Sequence, residues 1–152
     1  MNKYKLVETK DIKKIPKILR EKSKEITEIT PELLDLAKQM KKIMKENKGV
    51  GISAIQVGVP VRMLVVKNCG QDMIFINPDI IRMSRHEVVY SEGCLSFPEV
   101  FREISRPEKI KVKAKNENFE DLEIEAEGLV ARTLEHEIDH LNGIVFLDRV
   151  GD

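Results

Sequence analysis

Short strand-like runs in the middle of the chain, with one helix-periodic segment before them and one after, predict an α+β fold. Two further observations support it. The 152 residues are 41% apolar and 34% charged, enough for one globular core and too short a chain for two ordinary ones. The last helical segment also carries two histidines four residues apart, which lie on one face of a helix. The expected architecture is a single domain over residues 1–152, with antiparallel or mixed sheets packed around the second helix and an amphipathic helix in the N-terminal half.

Residues 1–29 are polar and weakly periodic. Thr30 followed by Pro31 reads as an N-cap and first helical position. Leu33, Leu36, Ala37, Met40, Ile43 and Met44 then recur at helical spacing, and Gly49 stands where a C-terminal cap belongs. This predicts a helix of about four turns with one buried face. Beyond Gly49 the pattern shortens to strand-like runs at Arg62–Val66, Met73–Ile76, Glu87–Tyr90, Ile110–Ala114 and Leu122–Ala126, separated by Gly, Pro, Asn and Asp. Helical periodicity returns over Gly128–Leu141, with Leu134, Ile138 and Leu141 on one stripe.

Charge and composition exclude several classes. The 26 basic and 26 acidic side chains leave no net field to attract DNA or RNA. Residues 1–48 do hold 14 Lys/Arg against 8 Asp/Glu, but the lysines are interleaved with acids and lack aromatic partners for bases, which disfavours a nucleic-acid module. No apolar run is long enough to span a bilayer, and the lysine-rich start has no apolar stretch behind it that would make a signal peptide. With only Cys69 and Cys94, a disulfide framework is not expected and the cytoplasm is the expected compartment.

The most specific local signal is His136-Glu137-Ile138-Asp139-His140. On a helix both imidazoles lie on one face and reach the same metal ion, while Glu137 projects beside it, placed to take a proton from a water. Two of the chain's three histidines fall in this motif, which argues against a chance pair on a surface helix. A third ligand is needed. The position that would hold a downstream histidine is Phe146, and only 12 residues follow His140. The candidates are therefore Cys69, His86 and Cys94 upstream, or the tail acids Asp148 and Asp152.

Cys94 is favoured because it lies in Glu92-Gly93-Cys94-Leu95-Ser96 after an extended Val88-Val89-Tyr90 run, and a thiolate is a strong donor to Zn(II) or Fe(II). Cys69 sits in a turn by composition, and His86 reads as a surface residue before a strand. A further segment, Gly49 to Gly58, is glycine-rich and mostly apolar but contains Gln56, an amide able to donate to a developing oxyanion. A structural zinc site would have no use for Glu137, and a peptidase of internal bonds would need the missing downstream ligand.

Taken in order, Gly49-x-Gly51-x-x-Ala54-x-Gln56, Glu92-Gly93-Cys94-Leu95-Ser96 and His136-Glu137-x-Asp139-His140 closely resemble the three motifs of the peptide deformylases. The neighbouring Phe97-Pro98-Glu99, Glu127-Gly128-Leu129 and Leu141-x-Gly143-x-x-Phe146-x-Asp148-Arg149 agree with that family. Ser53 replaces the usual alanine of the first motif, and Ile15-Pro16-Lys17 replaces an Asp-Pro turn.

The resemblance implies hydrolysis of the formyl group from formyl-methionyl nascent polypeptides, with release of formate. It implies that Cys94, His136 and His140 bind one divalent metal, Fe(II) in the cell with Zn, Ni or Co able to substitute. Glu137 would be the general base and then the acid, and Gln56 and the Leu95 N–H would hold the oxyanion. Val50, Tyr90, Leu129 and Thr133 would line a pocket for the methionine side chain, with Gly51 and Gly93 letting the substrate backbone approach. It further implies transient ribosome contact, weak and salt-sensitive because the C-terminal docking helix of longer members is not expected here, and no DNA or membrane partner.

Overall fold

The computed structural model describes residues 3–151. An extended N-terminal segment leads through a single 3₁₀ turn at Lys17–Arg20 into helix α1, Pro31–Glu46. As predicted, Thr30 caps α1: its side chain accepts from the Leu33 N–H at 3.2 Å, and Pro31 takes the first helical position. The C-terminal cap is different. Asn47 ends the helix, and Lys48 takes the left-handed conformation at φ 56°. The Lys48 N–H then bonds Lys45 O and the Gly49 N–H bonds Met44 O, which closes a Schellman motif. Gly49 is needed for a different reason: a Cβ there would sit 2.8 Å from Leu95 Cδ1.

Seven strands follow: β1 (Gly51–Ser53), β2 (Met63–Asn68), β3 (Gln71–Met83), β4 (Glu87–Cys94), β5 (Phe97–Pro107), β6 (Lys109–Lys115) and β7 (Asp121–Glu127). They form a five-stranded sheet in the order β1-β2-β3-β6-β7 and a separate hairpin, β4-β5. All pairings between these strands are antiparallel. The five predicted strands are present but longer than expected, and β1 and β5 are additional. Cys69-Gly70 makes the two-residue turn between β2 and β3, both residues at positive φ, as a type I′ hairpin requires. Helix α2 spans Gly128–Leu141, as predicted, and a last 3₁₀ turn covers Phe146–Arg149.

Alternation along β2 explains how both helices are held. Met63 and Val65 face one way and join Leu36, Met40, Ile43 and Met44 of α1. Leu64 and Val66 face the other way and join Ala131, Leu134, Ile138 and Leu141 of α2, with Ile110, Val112 and Ala126 from the far strands. The sheet is thus sandwiched between the helices. A third cluster, Leu19, Ile55, Phe97, Ile104, Val145 and Phe146, joins the hairpin to the segments before α1 and after α2. On β6 and β7, Lys109, Lys111, Lys113 and Lys115 stand opposite Glu127, Glu125, Glu123 and Asp121, so each basic residue faces an acidic one across the pair.

Candidate active site

The site lies where the end of β4, the loop after β1 and the middle of α2 meet. Cys94 closes β4, and its Sγ is 3.3 Å from His140 Nε2. The donor atoms of Cys94, His136 and His140 all lie within 4.8 Å of one another. Bonds of about 2.3 Å to sulfur and 2.0–2.1 Å to nitrogen in a tetrahedral site put neighbouring S and N roughly 3.6 Å apart, so this trio has the right spacing for one ion. Their chemistry also fits, as one thiol and two imidazoles are donors that suit Zn(II) or Fe(II). An orphaned atom supports the same conclusion: Glu137 Oε1 is sealed in the protein beside the trio with no hydrogen-bond partner.

The other third-ligand candidates lie elsewhere. Cys69 is exposed on its hairpin turn. His86 is exposed and 3.8 Å from Glu108. Asp148 is bound by Arg20, with 3.0 Å in the longer arm of the fork. Asp152 lies outside the described residues.

Helix α2 is not a surface helix that happens to bear histidines. From Ala131 to Leu141 every residue is buried, His136 and His140 included. Burial pushes the Glu137 carboxyl up to about 7, the range of a working general base. Burial alone would lower the His136 imidazole, but Cys94, Glu137 and Glu92 hold it well above its usual value, while burial holds His140 well below.

Gln56 is aimed by its neighbours. The 3₁₀ turn Ala54–Val57 is closed by a capping box in which the Ser53 N–H and hydroxyl donate to Gln56 Oε1, at 2.9 and 3.1 Å. That fixes the amide so that Nε2 faces Ser96 Oγ at 3.0 Å and Cys94 Sγ at 3.5 Å. Ser53, the departure from the usual motif, is therefore part of this cradle. Leu95 lies in the turn between β4 and β5, where its N–H has no backbone acceptor among the described residues.

A cleft of about 480 Å³ opens beside these residues, and Val50, Gly51, Tyr90, Gly93, Leu129 and Thr133 all line it. Val50, Tyr90 and Leu129 are exposed there, together with Phe101, which sequence reasoning did not single out.

Sequence reasoning also missed a buried ionic network behind the histidines. Glu92 accepts from His136 Nδ1, from Arg106 Nε and Nη2 at 2.9 and 2.8 Å, and from Arg132 Nη1 at 2.9 Å. Arg106 Nη1 reaches Asp139 at 3.0 Å, and Arg149 holds Asp139 from the other side. Burial alone would raise the Glu92 carboxyl, but the bonds from Arg106 and His136 hold it far below the usual carboxylate range. The bond to Glu92 commits His136 Nδ1 and leaves Nε2 facing the trio's centre.

Comparison with known proteins places these features in context. A model of the polypeptide deformylase family matches residues 9–152. The peptide deformylase of Bartonella tribocorum is 42% identical over 140 residues, which is 88% of this chain and 79% of the relative. That of Thermoanaerobacter pseudethanolicus is 46% identical over 133 residues, covering 87% of this chain and 82% of its own. Among solved structures, the peptide deformylase of Thermotoga maritima superposes with a TM-score of 0.91 at 38% identity and covers 98% of both chains. A peptide deformylase of Synechococcus elongatus in complex with actinonin superposes with the same score at 35% identity, over all of this chain and 81% of the other.

Proposed function

The chain belongs to the peptide deformylase family, and from that premise we propose how its own residues carry out the reaction. The activity is hydrolytic removal of the formyl group from the N-terminus of nascent polypeptides, releasing formate. The enzyme is metal-dependent. Cys94, His136 and His140 hold one divalent ion, Fe(II) in the cell, with Zn, Ni or Co able to replace it; a mixed thiolate and imidazole donor set suits all four. When bound, such an ion supplies Lewis-acid activation of a water and of the formyl oxygen.

Glu137 takes the proton from the attacking water and returns it to the departing amine. Its burial supports this role, since a carboxyl lifted to about 7 both accepts and releases a proton near neutral pH. Gln56 Nε2 and the Leu95 N–H donate to the oxygen that gains negative charge. One such donor contributes about 2.7–4 kcal/mol in a comparable oxyanion hole. The grip of Ser53 on Gln56 Oε1 supports the first assignment, because it stops the amide from presenting its oxygen to the anion. Val50, Gly51, Tyr90, Gly93, Leu129 and Thr133 receive the methionine and the adjoining backbone.

Residues 1–152 act as one catalytic domain. Its partners are formyl-methionyl nascent chains, met in the cytoplasm through transient contact with the ribosome. The 14 basic against 8 acidic residues of segment 1–48 would favour that contact. The observation that carries the reading is the enclosed trio of Cys94, His136 and His140 with Glu137 beside it. The test is formate release from formyl-Met-Ala-Ser by anaerobically purified protein, with metal analysis of the same sample. Stoichiometric metal without formate release refutes it.

A further inference from the structure

Arg132 belongs to no sequence motif, yet its guanidinium sits at the junction of helix and hairpin. It lies one turn before His136 on α2, and its side chain is buried, with 9% of its surface accessible. Nη1 donates to Glu92 Oε2 at 2.9 Å and to Ile104 O at 3.0 Å, and Nη2 donates to Val88 O at 2.6 Å. One helix residue therefore grips both strands of the β4-β5 hairpin and also the carboxylate that orients His136.

Cys94 rides on the hairpin while His136 and His140 ride on the helix, so the ligand spacing depends on how the two elements are registered. Glu92, two residues before Cys94, is held from within its own hairpin by Arg106. From the helix it is touched by His136 and by Arg132. Without Arg132, the only direct helix contact to Glu92 among these bonds would be His136, the ring that Glu92 is supposed to orient. Arg106, itself bonded to Asp139 on α2, also places the carboxylate, and Arg132 adds a direct hold from the helix that does not pass through that ring.

We propose that Arg132 is a positioning residue that pre-sets the metal centre by locking the Cys94-bearing hairpin and Glu92 to helix α2. The proposal rests on the assignment of Cys94, His136 and His140 as the ligands. Outer partners of this kind change metal affinity by about 10–100-fold when removed. Arg132→Met keeps the aliphatic bulk and removes all three bonds. Arg132→Lys keeps a cation near Glu92 but loses the fork that also reaches Val88 and Ile104.

The test is Zn(II) affinity of the metal-stripped full chain, by competition with a chromophoric chelator, alongside circular dichroism and thermal melting of each apo variant. The expected result is Zn(II) binding about 10–100-fold weaker in Arg132→Met, intermediate binding in Arg132→Lys, and native apo spectra in both. In the Co(II)-loaded protein the visible ligand-field bands should shift in Arg132→Met, which a side chain that only packs would not cause. Zn(II) affinity within twofold of wild type, with unshifted Co(II) bands, overturns the proposal. If Arg132→Met does not fold, Arg132→Lys decides by the same twofold criterion. Cys94→Ala serves as the reference: wild type binding Zn(II) no tighter than that variant would refute the ligand assignment itself, whatever Arg132 does.

Discussion

Gly51 offers a direct test of how tightly Glu137, the proposed general base, is confined. A Cβ added at this position would lie 2.6 Å from Thr133 Cγ2, 2.9 Å from Glu137 Oε2 and 3.1 Å from Glu137 Cγ. Unstrained carbon contacts begin near 3.5 Å, so the first overlap is about 0.9 Å and the third about 0.4 Å. The obstructing atoms belong to a buried helix packed into the sheet, and Thr133 is tethered by its bond to Leu129 O at 2.8 Å. Gly51→Ala must therefore push either β1 or the Glu137 side chain.

Overpacking of this kind costs about 1–3 kcal/mol. At roughly 2–4 °C per kcal/mol for a chain of this size, Tm should fall by several degrees. Turnover should suffer more, because displacing a reacting group by about 1 Å can cost on the order of 100-fold. The assay is kcat for formate release with a melting curve on the same preparation. Adding Thr133→Ser removes the 2.6 Å contact and leaves the Glu137 contacts, so the double variant should regain stability more fully than turnover. Wild-type kcat together with wild-type Tm in Gly51→Ala would refute the confinement argument.

Other outcomes follow from the same geometry. Glu137→Gln should keep its metal and lose at least about 100-fold in kcat, as expected for a lost general base; near-normal turnover would remove that role. Since burial lifts the Glu137 carboxyl to about 7 and a bound cation pulls it back down, kcat/KM should fall on the acid side, with a midpoint below 7. An acid limb centred above 7 would contradict this. Cys94→Ser should lose metal while Cys69→Ser, on an exposed turn, should match wild type; equal metal content in all three proteins would reject the sulfur ligand. The bond from Arg20 holds the Asp148 carboxyl below its ordinary value, so its stabilisation is present above about pH 3.9 and is lost as pH falls through the folded value. Both groups are more than a third exposed, so Asp148→Asn should cost about 1 kcal/mol or less at pH 7, and the gap to wild type should narrow as the pH is taken into the acid range below the ordinary carboxylate value. A gap that does not change with pH would mean the ion pair contributes nothing.

What the sequence made legible was the chemistry carried by neighbours along the chain. His136, Glu137 and His140 are fixed by one helical turn, and Thr30 and Pro31 mark a helix start by a local capping bond and a fixed backbone angle. Cys94 could be favoured over Cys69 because it ends an apolar extended run. The strand Phe97–Pro107 was not legible: Pro98 and Pro107 read as breakers, Phe101 points to solvent, and Arg106 occupies an inward position that alternation assigns to an apolar residue. Strand β3 was cut short for a related reason. It passes Pro78 by a register shift between Ile76 and Asp79, with Asn77 at φ 51°, and no local pattern announces such a bulge. The Glu92, Arg106, Arg132 and Asp139 network was invisible because each residue alone looks like surface charge. Only long-range pairing makes their burial tolerable. Gly49 does close the cap of α1 through its N–H, but what demands a glycine there is Leu95, 46 positions away and invisible to local pattern.

The facing lysines and acids of β6 and β7 bear on the company this enzyme keeps. An enzyme that works on freshly made chains meets unfolded polypeptide constantly, and an unprotected sheet margin is a template for any passing extended segment. The outer margin of the five-stranded sheet is β7, whose solvent-directed positions are Asp121, Glu123, Glu125 and Glu127. A stray strand docking there would have to lie beside four carboxylates, three of them (Asp121, Glu123 and Glu127) already paired with lysines of β6. The opposite margin, β1, is only three residues long, and its Gly51 borders the catalytic cleft. The sheet thus discourages adhesion of client chains along one side, while its short, glycine-bearing side borders the cleft.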